Sequence, residues 1–286
     1  MPSARRPPLV RAVLVGVTGR MGQALLRAAP AFADLLITGA IASPASLALG
    51  RDAGEVAGVG RTNLMVGSDL RRSLAQADVV LDFSSPAATA DNLAACRQAG
   101  KALLIGTTGF GEDLGAQLEA AAREIPLLAA ANTSVGVAVL TALVRAAARA
   151  LPPSFDIDVL DLHHRLKLDA PSGTALALGA AAAAARERFP APPQPSGPAA
   201  GAGPGAPLRG RPRPEGEIGF ASVRAGDLVG EHTVLFSGAG EQLSLTHRAS
   251  DRAVFARGAL QAALWLASQP PGRYAMDDFL GLKTNT

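Results

Sequence analysis

The stretch VRAVLVGVTGRMGQALLRAA, residues 10–29, decides the fold of the first half of the chain. A β-branched apolar run leads into three spaced glycines, and an amphipathic segment follows them directly. Glycines between a strand and a helix let the backbone approach a pyrophosphate, and the N–H groups that open the helix attract its charge. We therefore predict a dinucleotide site in this loop. Its predicted residues are Gly16, Thr18, Gly19, Arg20, Met21 and Gly22.

Outward from this motif, short β-branched runs alternate with alanine- and leucine-rich amphipathic segments. Apolar strands separated by helices predict right-handed crossovers and a parallel sheet that is covered on both faces. The predicted strands are 10–17, 35–42, 79–83, 102–105 and 126–130, and the predicted helices are 21–29, 86–99 and 112–123. This pattern is typical of a Rossmann-like, doubly wound α/β domain.

The second half of the chain has a different pattern. Beyond a predicted helix at 137–151, alternating segments predict strands, and the last three strands follow one another without a helix between them. This order favours an α+β domain with a mainly antiparallel sheet. The predicted strands are 155–163, 218–224, 231–237 and 242–247. A final amphipathic helix at 253–267 is expected to return to the first domain.

We expect one domain at residues 1–134 and 249–286 and the other at residues 135–248. Within the second domain, residues 190–206 consist largely of proline, glycine and alanine. Such a segment has too few apolar side chains to offset the entropy of ordering, so we predict a mobile insertion there.

Composition excludes several classes of partner. The net charge is +3 and aromatic residues make up 4% of the chain, without a basic stripe, so nucleic acid is not expected as a partner. The alanine run at 175–185 is shorter than the about 20 apolar residues that cross a bilayer, and we expect no membrane partner. Cys96 is the single cysteine, which excludes an intrachain disulfide and favours a cytoplasmic location.

A second motif, DLHHRLKLDAPSGT at residues 161–174, contains two adjacent histidines, a lysine and the start of an alanine-rich helix. Imidazoles exchange protons near neutral pH, an ammonium group is a point charge, and a helix N-terminus attracts anions. The motif therefore predicts a site for a small anion. Adjacent residues of a strand point to opposite faces, so His163 and His164 are not expected to share a metal, and we predict no metal site.

This motif resembles the substrate motif of the dihydrodipicolinate reductase family. Further segments that resemble the family occur in the same order along nearly the whole chain. They are VGVTGRMGQAL at 15–25, IGTTGF at 105–110, ANTSVGV at 131–137, IGFASVRAGDLVGEHTVLF at 218–236 and THRASDR at 246–252. The resemblance implies NAD(P)H-dependent reduction of the cyclic dicarboxylate 4-hydroxy-tetrahydrodipicolinate to tetrahydrodipicolinate, in diaminopimelate and lysine biosynthesis. It also implies a homotetramer built through the second domain, which binds substrate, while the first binds the dinucleotide.

The resemblance also implies roles for individual residues of the second motif. His163 is the acid/base candidate, Lys167 assists protonation and binds a carboxylate, and His164 contacts the substrate. The backbone N–H groups of Gly173 and Thr174 are expected to bind a second carboxylate, behind a helix cap at Ser172. Asp161 stands where the family more often has Glu, and it keeps a carboxylate that can orient an imidazole.

Two further loops follow predicted parallel strands, where open α/β sheets bind their ligands. The family places both loops around the nicotinamide. Their residues are Gly106, Thr107 and Thr108 in the first loop and Ala131, Asn132, Thr133 and Ser134 in the second. At the end of the second strand, Ala42-Ser43-Pro44 lacks the acid that usually holds the ribose 2′-hydroxyl. We therefore expect NADPH and/or NADH as cofactor, with a preference for NADPH and with Ser43 near its 2′-phosphate.

Two alternative functions remain open at this point. One is a related NAD(P) oxidoreductase that acts on an amino acid or a semialdehyde, although such an enzyme would not explain the second motif. The other is a non-catalytic NADPH sensor that kept the fold. The segment Glu231-His232-Thr233 shows no acid/base partners in the sequence pattern, and we predict a structural role for it.

Overall fold

The computed structural model describes residues 9–109, 112–186, 213 and 216–282, and it describes only the backbone of Glu112 and Asp113. The predicted insertion at 190–206 lies outside the described residues. The chain divides into two compact units, of which one comprises Met1–Val135 with Arg252–Thr286 and the other Gly136–Asp251. Among the described residues, no helix combines the length and apolar character that a membrane span requires.

Eleven strands, nine α-helices and one short 3-10 helix (Ala29–Ala31) are found in the described part of the chain. The strands are β1 (Val10–Val15), β2 (Leu35–Ile41), β3 (Val66–Gly67), β4 (Val79–Asp82), β5 (Ala102–Ile105), β6 (Pro126–Ala129), β7 (Asp156–His163), β8 (Ile218–Arg224), β9 (Gly230–Gly238), β10 (Glu241–Ala249) and β11 (Gly272–Tyr274). The helices are α1 (Arg20–Ala28), α2 (Ala53–Ala57), α3 (Leu70–Leu74), α4 (Pro86–Ala99), α5 (Glu112–Ala122), α6 (Val135–Ala150), α7 (Gly173–Ala185), α8 (Ala253–Leu266) and α9 (Met276–Phe279).

The first unit is built on a seven-stranded sheet in the order β11-β6-β5-β4-β1-β2-β3. Every pair of neighbouring strands is parallel. Each residue of β4 and β5 is buried, as expected for strands with helices on both faces. The predicted Rossmann-like fold is confirmed. The edge strands β3 and β11 were not predicted, because two or three residues are too few to show a periodic pattern.

The second unit contains a four-stranded sheet in the order β10-β9-β7-β8. Strand β9 pairs antiparallel with β7 and with β10, whereas β7 and β8 are parallel. The sheet is therefore mixed, and the predicted mainly antiparallel arrangement holds for two of its three pairs. Helices α6 and α7 pack with the sheet around a core that includes Leu140, Leu178 and Phe236.

The buried face of β7 changes in character along the strand. Ile157 and Val159 belong to the apolar core, and the next two buried positions are Asp161 and His163. Alternate residues of a strand share a face, so these two polar side chains continue the inward row of the apolar ones. The carboxyl end of β7 therefore carries polar, titratable groups on the face that is otherwise the core.

Candidate active site

The glycine loop after β1 is held closely by its surroundings. Gly16 has a φ of +85°, and a Cβ at this position would lie 2.3 Å from the carbonyl oxygen of Phe83. A Cβ at Gly22 would lie 2.3 Å from the carbonyl oxygen of Gly16. Gly19 is the N-cap residue of α1, and no described side chain forms a capping hydrogen bond there. A backbone this close to its neighbours, next to an uncapped helix start, fits the pyrophosphate of a dinucleotide.

The same loop is attached to the end of β2. The N–H groups of Gly16 and Val17 donate to the carbonyl oxygen of Ile41, at 2.8 and 3.2 Å. Just beyond lies Ser43, which is exposed and whose Oγ accepts a hydrogen bond from the N–H of Ala45 at 3.3 Å. A hydroxyl therefore stands close to where a ribose-binding carboxylate would be expected.

The loop after β5 packs on the residue that follows β4. A Cβ at Gly106 would lie 2.0 Å from the ring of Phe83, so the backbone of this loop lies directly on the aromatic ring. The Oγ1 atom of Thr107 lies 3.4 Å from a carboxylate oxygen of the buried Asp82. Since Phe83 also lies against Gly16, it connects the loops after β1 and β5. Phe83 was predicted only as the last residue of the strand at 79–83, without a role at the site.

The loop after β6 is ordered by its own side chains and by α8. The Oδ1 atom of Asn132 accepts a hydrogen bond from the N–H of Ser134 at 2.8 Å. Thr133 is buried, and its hydroxyl donates to the carbonyl oxygen of Phe255 at 2.7 Å. A Cβ at Gly258 would lie 1.9 Å from the carbonyl oxygen of Thr133, so α8 approaches this loop closely. Three of the predicted cofactor loops thus lie at the carboxyl ends of β1, β5 and β6 in one sheet.

In the second unit, the carboxylate of Asp161 lies between two imidazoles. Its Oδ1 atom is 2.8 Å from Nδ1 of His163 and 3.4 Å from Nε2 of His232. The two rings meet edge to face, with centroids 5.1 Å apart. All three side chains are buried.

The second carboxylate oxygen of Asp161 accepts three hydrogen bonds. Its donors are Nη2 of Arg224 at 2.8 Å, the N–H of Ser172 at 2.9 Å and the hydroxyl of Ser222 at 3.2 Å. Burial by itself would raise the pKa of Asp161, but hydrogen bonds from His163, His232, Arg224 and Ser172 outweigh this effect and hold the pKa far below its ordinary value. The group is therefore a permanent buried anion.

The position of this anion defines which nitrogen of His163 can exchange a proton. A carboxylate only accepts hydrogen bonds, so Nδ1 of His163 carries a proton toward Asp161. The other nitrogen, Nε2, is the one that gains or loses a proton. Gly230 lies beside it, and a Cβ at this position would be 3.0 Å from Nε2. Only a residue without a side chain leaves this nitrogen uncrowded.

The same cluster meets the distance requirement of a metal site. One ligand atom from each of Asp161, His163 and His232 lies within 4.8 Å of the others. However, the guanidinium of Arg224 already neutralises the carboxylate, and a divalent cation beside it would be repelled. A hydrogen-bonded network therefore describes the cluster better, and the absence of a metal stays a prediction.

The loop between β7 and α7 carries the predicted lysine. The Nζ atom of Lys167 lies 2.8 and 2.9 Å from the two carboxylate oxygens of Asp169. A hydrogen bond from Lys167 lowers the pKa of Asp169, and burial opposes this shift without outweighing it. The positive charge of Lys167 lowers the pKa further. Nη2 of Arg224 also donates to the carbonyl oxygen of Asp169 at 2.6 Å and so ties this loop to β8. His164 lies just beyond the end of β7 and is half-buried.

Helix α7 begins as the sequence predicted. The Oγ atom of Ser172 accepts a hydrogen bond from the N–H of Ala175 at 3.2 Å, which makes Ser172 the N-cap. Gly173 and Thr174 form the first turn, at the positive end of the helix dipole. The N–H of Ser172 donates to Asp161, so the start of α7 lies next to the Asp161 cluster. A helix start of this kind attracts anions.

Family comparisons cover both units. Residues 10–133 match the family model described as dihydrodipicolinate reductase, N-terminus, and residues 136–280 match the one described as dihydrodipicolinate reductase, C-terminus. The chain belongs to the dihydrodipicolinate reductase family. The family predicted from the sequence is thereby confirmed.

Two similar members of the family are both named 4-hydroxy-tetrahydrodipicolinate reductase. The protein from Alkalilimnicola ehrlichii is 49% identical over 95% of this chain and 99% of its own length. The protein from Chromohalobacter salexigens is 45% identical over 96% of this chain and 100% of its own length.

Solved structures share the fold. Dipicolinate-bound dihydrodipicolinate reductase from Paenisporosarcina sp. TG-14 superposes with a TM-score of 0.72 at 24% identity, over 93% of this chain and 97% of that chain. An amine dehydrogenase from Mycobacterium smegmatis superposes with a TM-score of 0.61 at 14% identity, over 96% of this chain and 97% of that chain. At these identities the likeness concerns the fold alone.

Two residues of the cluster, the buried His232 and the partly buried Arg224, were not expected at the site of this dihydrodipicolinate reductase family member. From the sequence, His232 was predicted to have a structural role, and no role was predicted for Arg224. The strand register explains why both are present, since Asp161 stands opposite His232 on β9, and His163 stands opposite Arg224 on β8. The sequence contains no signal for this register, because the paired positions are about 60 to 70 residues apart in the chain.

Proposed function

We propose that this chain is a 4-hydroxy-tetrahydrodipicolinate reductase of diaminopimelate and lysine biosynthesis. The reaction takes up one hydride and one proton, and it releases water from the 4-hydroxy substrate to give tetrahydrodipicolinate. The observation that carries the proposal is the buried pair of Asp161 and His163 beside the start of α7, in a member of this family. A cyclic dicarboxylate needs this combination of a proton donor and anion-binding groups.

The family and the Rossmann-like fold imply a pyridine nucleotide cofactor, and the glycine loop after β1 fits its pyrophosphate. We infer that Gly16, Gly19 and Gly22 hold this group, together with Thr18, Arg20 and Met21 of the same loop. The loops that begin at Gly106 and Ala131 would surround the nicotinamide. When it is bound, the reduced nucleotide supplies the hydride.

A preference for NADPH is proposed from the end of β2. Ser43 offers a hydroxyl, and no carboxylate of the Ala42-Ser43-Pro44 segment repels a 2′-phosphate. Arg20, in the first turn of α1, adds a positive charge to the same loop region. Both features favour the phosphorylated nucleotide over NADH.

The residues of the second unit bind and protonate the substrate in this proposal. Nε2 of His163 donates the proton, while Asp161 keeps the ring oriented and stabilises its charged form. Lys167 binds one carboxylate of the substrate and so exchanges its present partner, Asp169, for the ligand. The N–H groups of Gly173 and Thr174 bind the second carboxylate at the start of α7.

His164 completes the proposed substrate contacts from the loop after β7. We also propose that the protein is a homotetramer and acts in the cytoplasm. The sheet of the second unit supports assembly, because the face opposite α6 and α7 carries the partly exposed Leu160, Leu162, Val223 and Leu235. An apolar sheet face of this kind is stabilised by burial against another copy.

A spectrophotometric assay with freshly generated substrate tests the proposal. We expect oxidation of NADPH that depends on 4-hydroxy-tetrahydrodipicolinate and is inhibited competitively by dipicolinate. Binding of NADPH without turnover would instead support a sensor. Turnover of an amino acid or a semialdehyde, with none of the cyclic dicarboxylate, would support the alternative oxidoreductase.

A further inference from the structure

We propose that His232 is a positioning residue of the substrate site. Through its contacts with Asp161 and Ser172, it holds the imidazole of His163 and the first turn of α7 in a fixed relation. This inference rests on the proposed function. It adds a role for a histidine that the sequence pattern assigned to structure alone. The imidazole of His232 need not touch the substrate for this role.

The contacts of one atom carry the proposal. Nε2 of His232 lies 3.4 Å from Oδ1 of Asp161 and 3.1 Å from Oγ of Ser172. Asp161 orients His163, and Ser172 caps α7. A single buried nitrogen therefore contacts both the group that orients the proton donor and the residue that begins the anion-binding helix.

The tautomer of His232 follows from these contacts. If Nε2 carried a lone pair, this lone pair would face the anion of Asp161, which offers only acceptors. The nearby anion favours the tautomer with the proton on Nε2, directed toward Asp161 and accepted by the hydroxyl oxygen of Ser172. Its Nδ1 atom is buried and has no hydrogen-bond partner among the described residues, so no competing contact fixes the opposite tautomer.

The ring of His232 also restricts the ring of His163. The two imidazoles meet edge to face at 69°, and their centroids are 5.1 Å apart. On the other side, Gly230 lies against Nε2 of His163. Rotation of the His163 ring would have to displace one of these neighbours. The ring is therefore held by the close contact of Nδ1 with the carboxylate of Asp161 and by packing along its edge.

The charged and titratable groups around His232 come from four strands. They are Asp161 and His163 on β7, Arg224 on β8, Glu231 on β9 itself and His247 on β10. Burial, and then the neighbouring His232, lowers the pKa of His247, so this imidazole stays neutral near neutral pH. Asp161 and Arg224 form an ion pair, and Glu231 pairs with Arg248 on the strand beside it. The nearest full charge that faces Nε2 of His232 is thus the carboxylate of Asp161.

Two variants of His232 separate positioning from packing. His232→Phe keeps a ring of similar shape and removes the donor, whereas His232→Gln retains an N–H donor that can reach the position of Nε2. Loss of a group that orients a catalytic residue costs about 10- to 100-fold. We expect kcat with His232→Phe to fall by this factor and KM for the dicarboxylate to rise, with KM for NADPH unchanged. His232→Gln should recover most of the loss.

His247→Phe is the matched control, since His247 stands opposite His232 on the next strand. It should leave kcat within a few-fold of wild type. Equal losses in His232→Phe, His232→Gln and His247→Phe would show that these histidines matter only for packing and would overturn the proposal. Wild-type values of kcat and KM in His232→Phe would also overturn the proposal.

A measurement on the wild-type protein keeps the proposal falsifiable if His232→Phe does not fold. Imidazole nitrogen and proton NMR should show a proton on Nε2 of His232 and on Nδ1 of His163. A His232 protonated on Nδ1 alone would refute the inference. Failure of the proposed function is recognised separately, because the wild-type enzyme would then reduce no dicarboxylate at all.

Discussion

At the residue scale, the buried anion of Asp161 is the feature with the largest energetic consequence. Asp161→Asn would leave the guanidinium of Arg224 without its counter-charge and would turn an amide donor toward a histidine donor. Removal of one partner from a buried ion pair lowers the free energy of unfolding by about 3–5 kcal/mol. We expect a loss of this size in the free energy of unfolding, measured with urea at neutral pH. Glu124→Gln is the control, because Glu124 pairs with Arg97 where both side chains are about half exposed, and such a pair contributes little to stability.

The pH dependence of this loss follows from the direction of the pKa shift. Folding lowers the pKa of Asp161 below its ordinary value of 3.8, so the stabilisation is fully present above that value. It is lost as the pH falls toward the lower pKa of the folded state. The difference between wild type and Asp161→Asn should therefore be constant near neutral pH and narrow only in acid. A difference that narrows above pH 6 would contradict this assignment.

A second prediction at this scale concerns the two candidate catalytic side chains. Removal of a positioned proton donor lowers turnover by about 10²- to 10⁴-fold. We expect His163→Ala and Lys167→Ala to lose activity in this range, while their circular dichroism spectra and melting temperatures remain close to wild type. Lys101→Ala, which changes a lysine of the first unit, should keep its activity. If both active-site variants turn over at wild-type rates, the assignment of these residues is wrong.

A third prediction concerns the nucleotide. If Ser43 lies beside the 2′-phosphate, Ser43→Asp places a repelling charge there and offers an acceptor to the 2′-hydroxyl of NADH. The ratio of kcat/KM for NADPH to that for NADH should be above one in the wild type and should fall by at least about tenfold in the variant. A large preference of the wild type for NADH would refute the proposed role of Ser43.

At the element scale, close packing between glycine backbones and their neighbours holds the loop after β1, which is proposed to bind the cofactor. Gly22→Ala would drive a Cβ into the carbonyl of Gly16 and displace α1 from β1. Such overpacking costs about 1–3 kcal/mol, and we expect this loss together with weaker NADPH binding in calorimetry. Gly67→Ala is the control, because a Cβ at Gly67 meets nothing within 4 Å. Equal affinities for NADPH in wild type and Gly22→Ala would argue against a nucleotide at this loop.

At the scale of the whole molecule, the open face of the second unit's sheet predicts assembly. Val223 lies on this face and is 48% exposed in the single chain. Val223→Asp places a charge on an apolar surface and should convert the tetramer into smaller species in native mass spectrometry. Leu143→Asp is the control, since Leu143 on α6 is similarly exposed, at 50%, and does not belong to the sheet. A monomeric wild-type protein would rule out the proposed tetramer.

The sequence was sufficient where a structure depends on neighbours in the chain. The order of strand, glycine loop and helix at residues 10–29 predicted the parallel sheet, and Pro86–Ala99 was predicted with the bounds that the structure shows. The cap of α7 by Ser172 was also foreseen. Cys96 is buried, and burial, with a smaller contribution from Asp82, raises the pKa of its thiol to about 12.

The family, the two kinds of sheet and the motifs that contain the glycines, His163 and Lys167 could all be predicted from the order of residues along the chain. These follow from local spacing, since helix periodicity, turn residues and caps act over a few positions. The contacts of His232 and Arg224 with Asp161, and of Phe83 with two loops that are proposed to bind the cofactor, arise only in the completed fold. Strand register and loop packing join residues far apart in the chain, and a carboxylate can be stabilised in a core only by donors that the completed sheet brings to it.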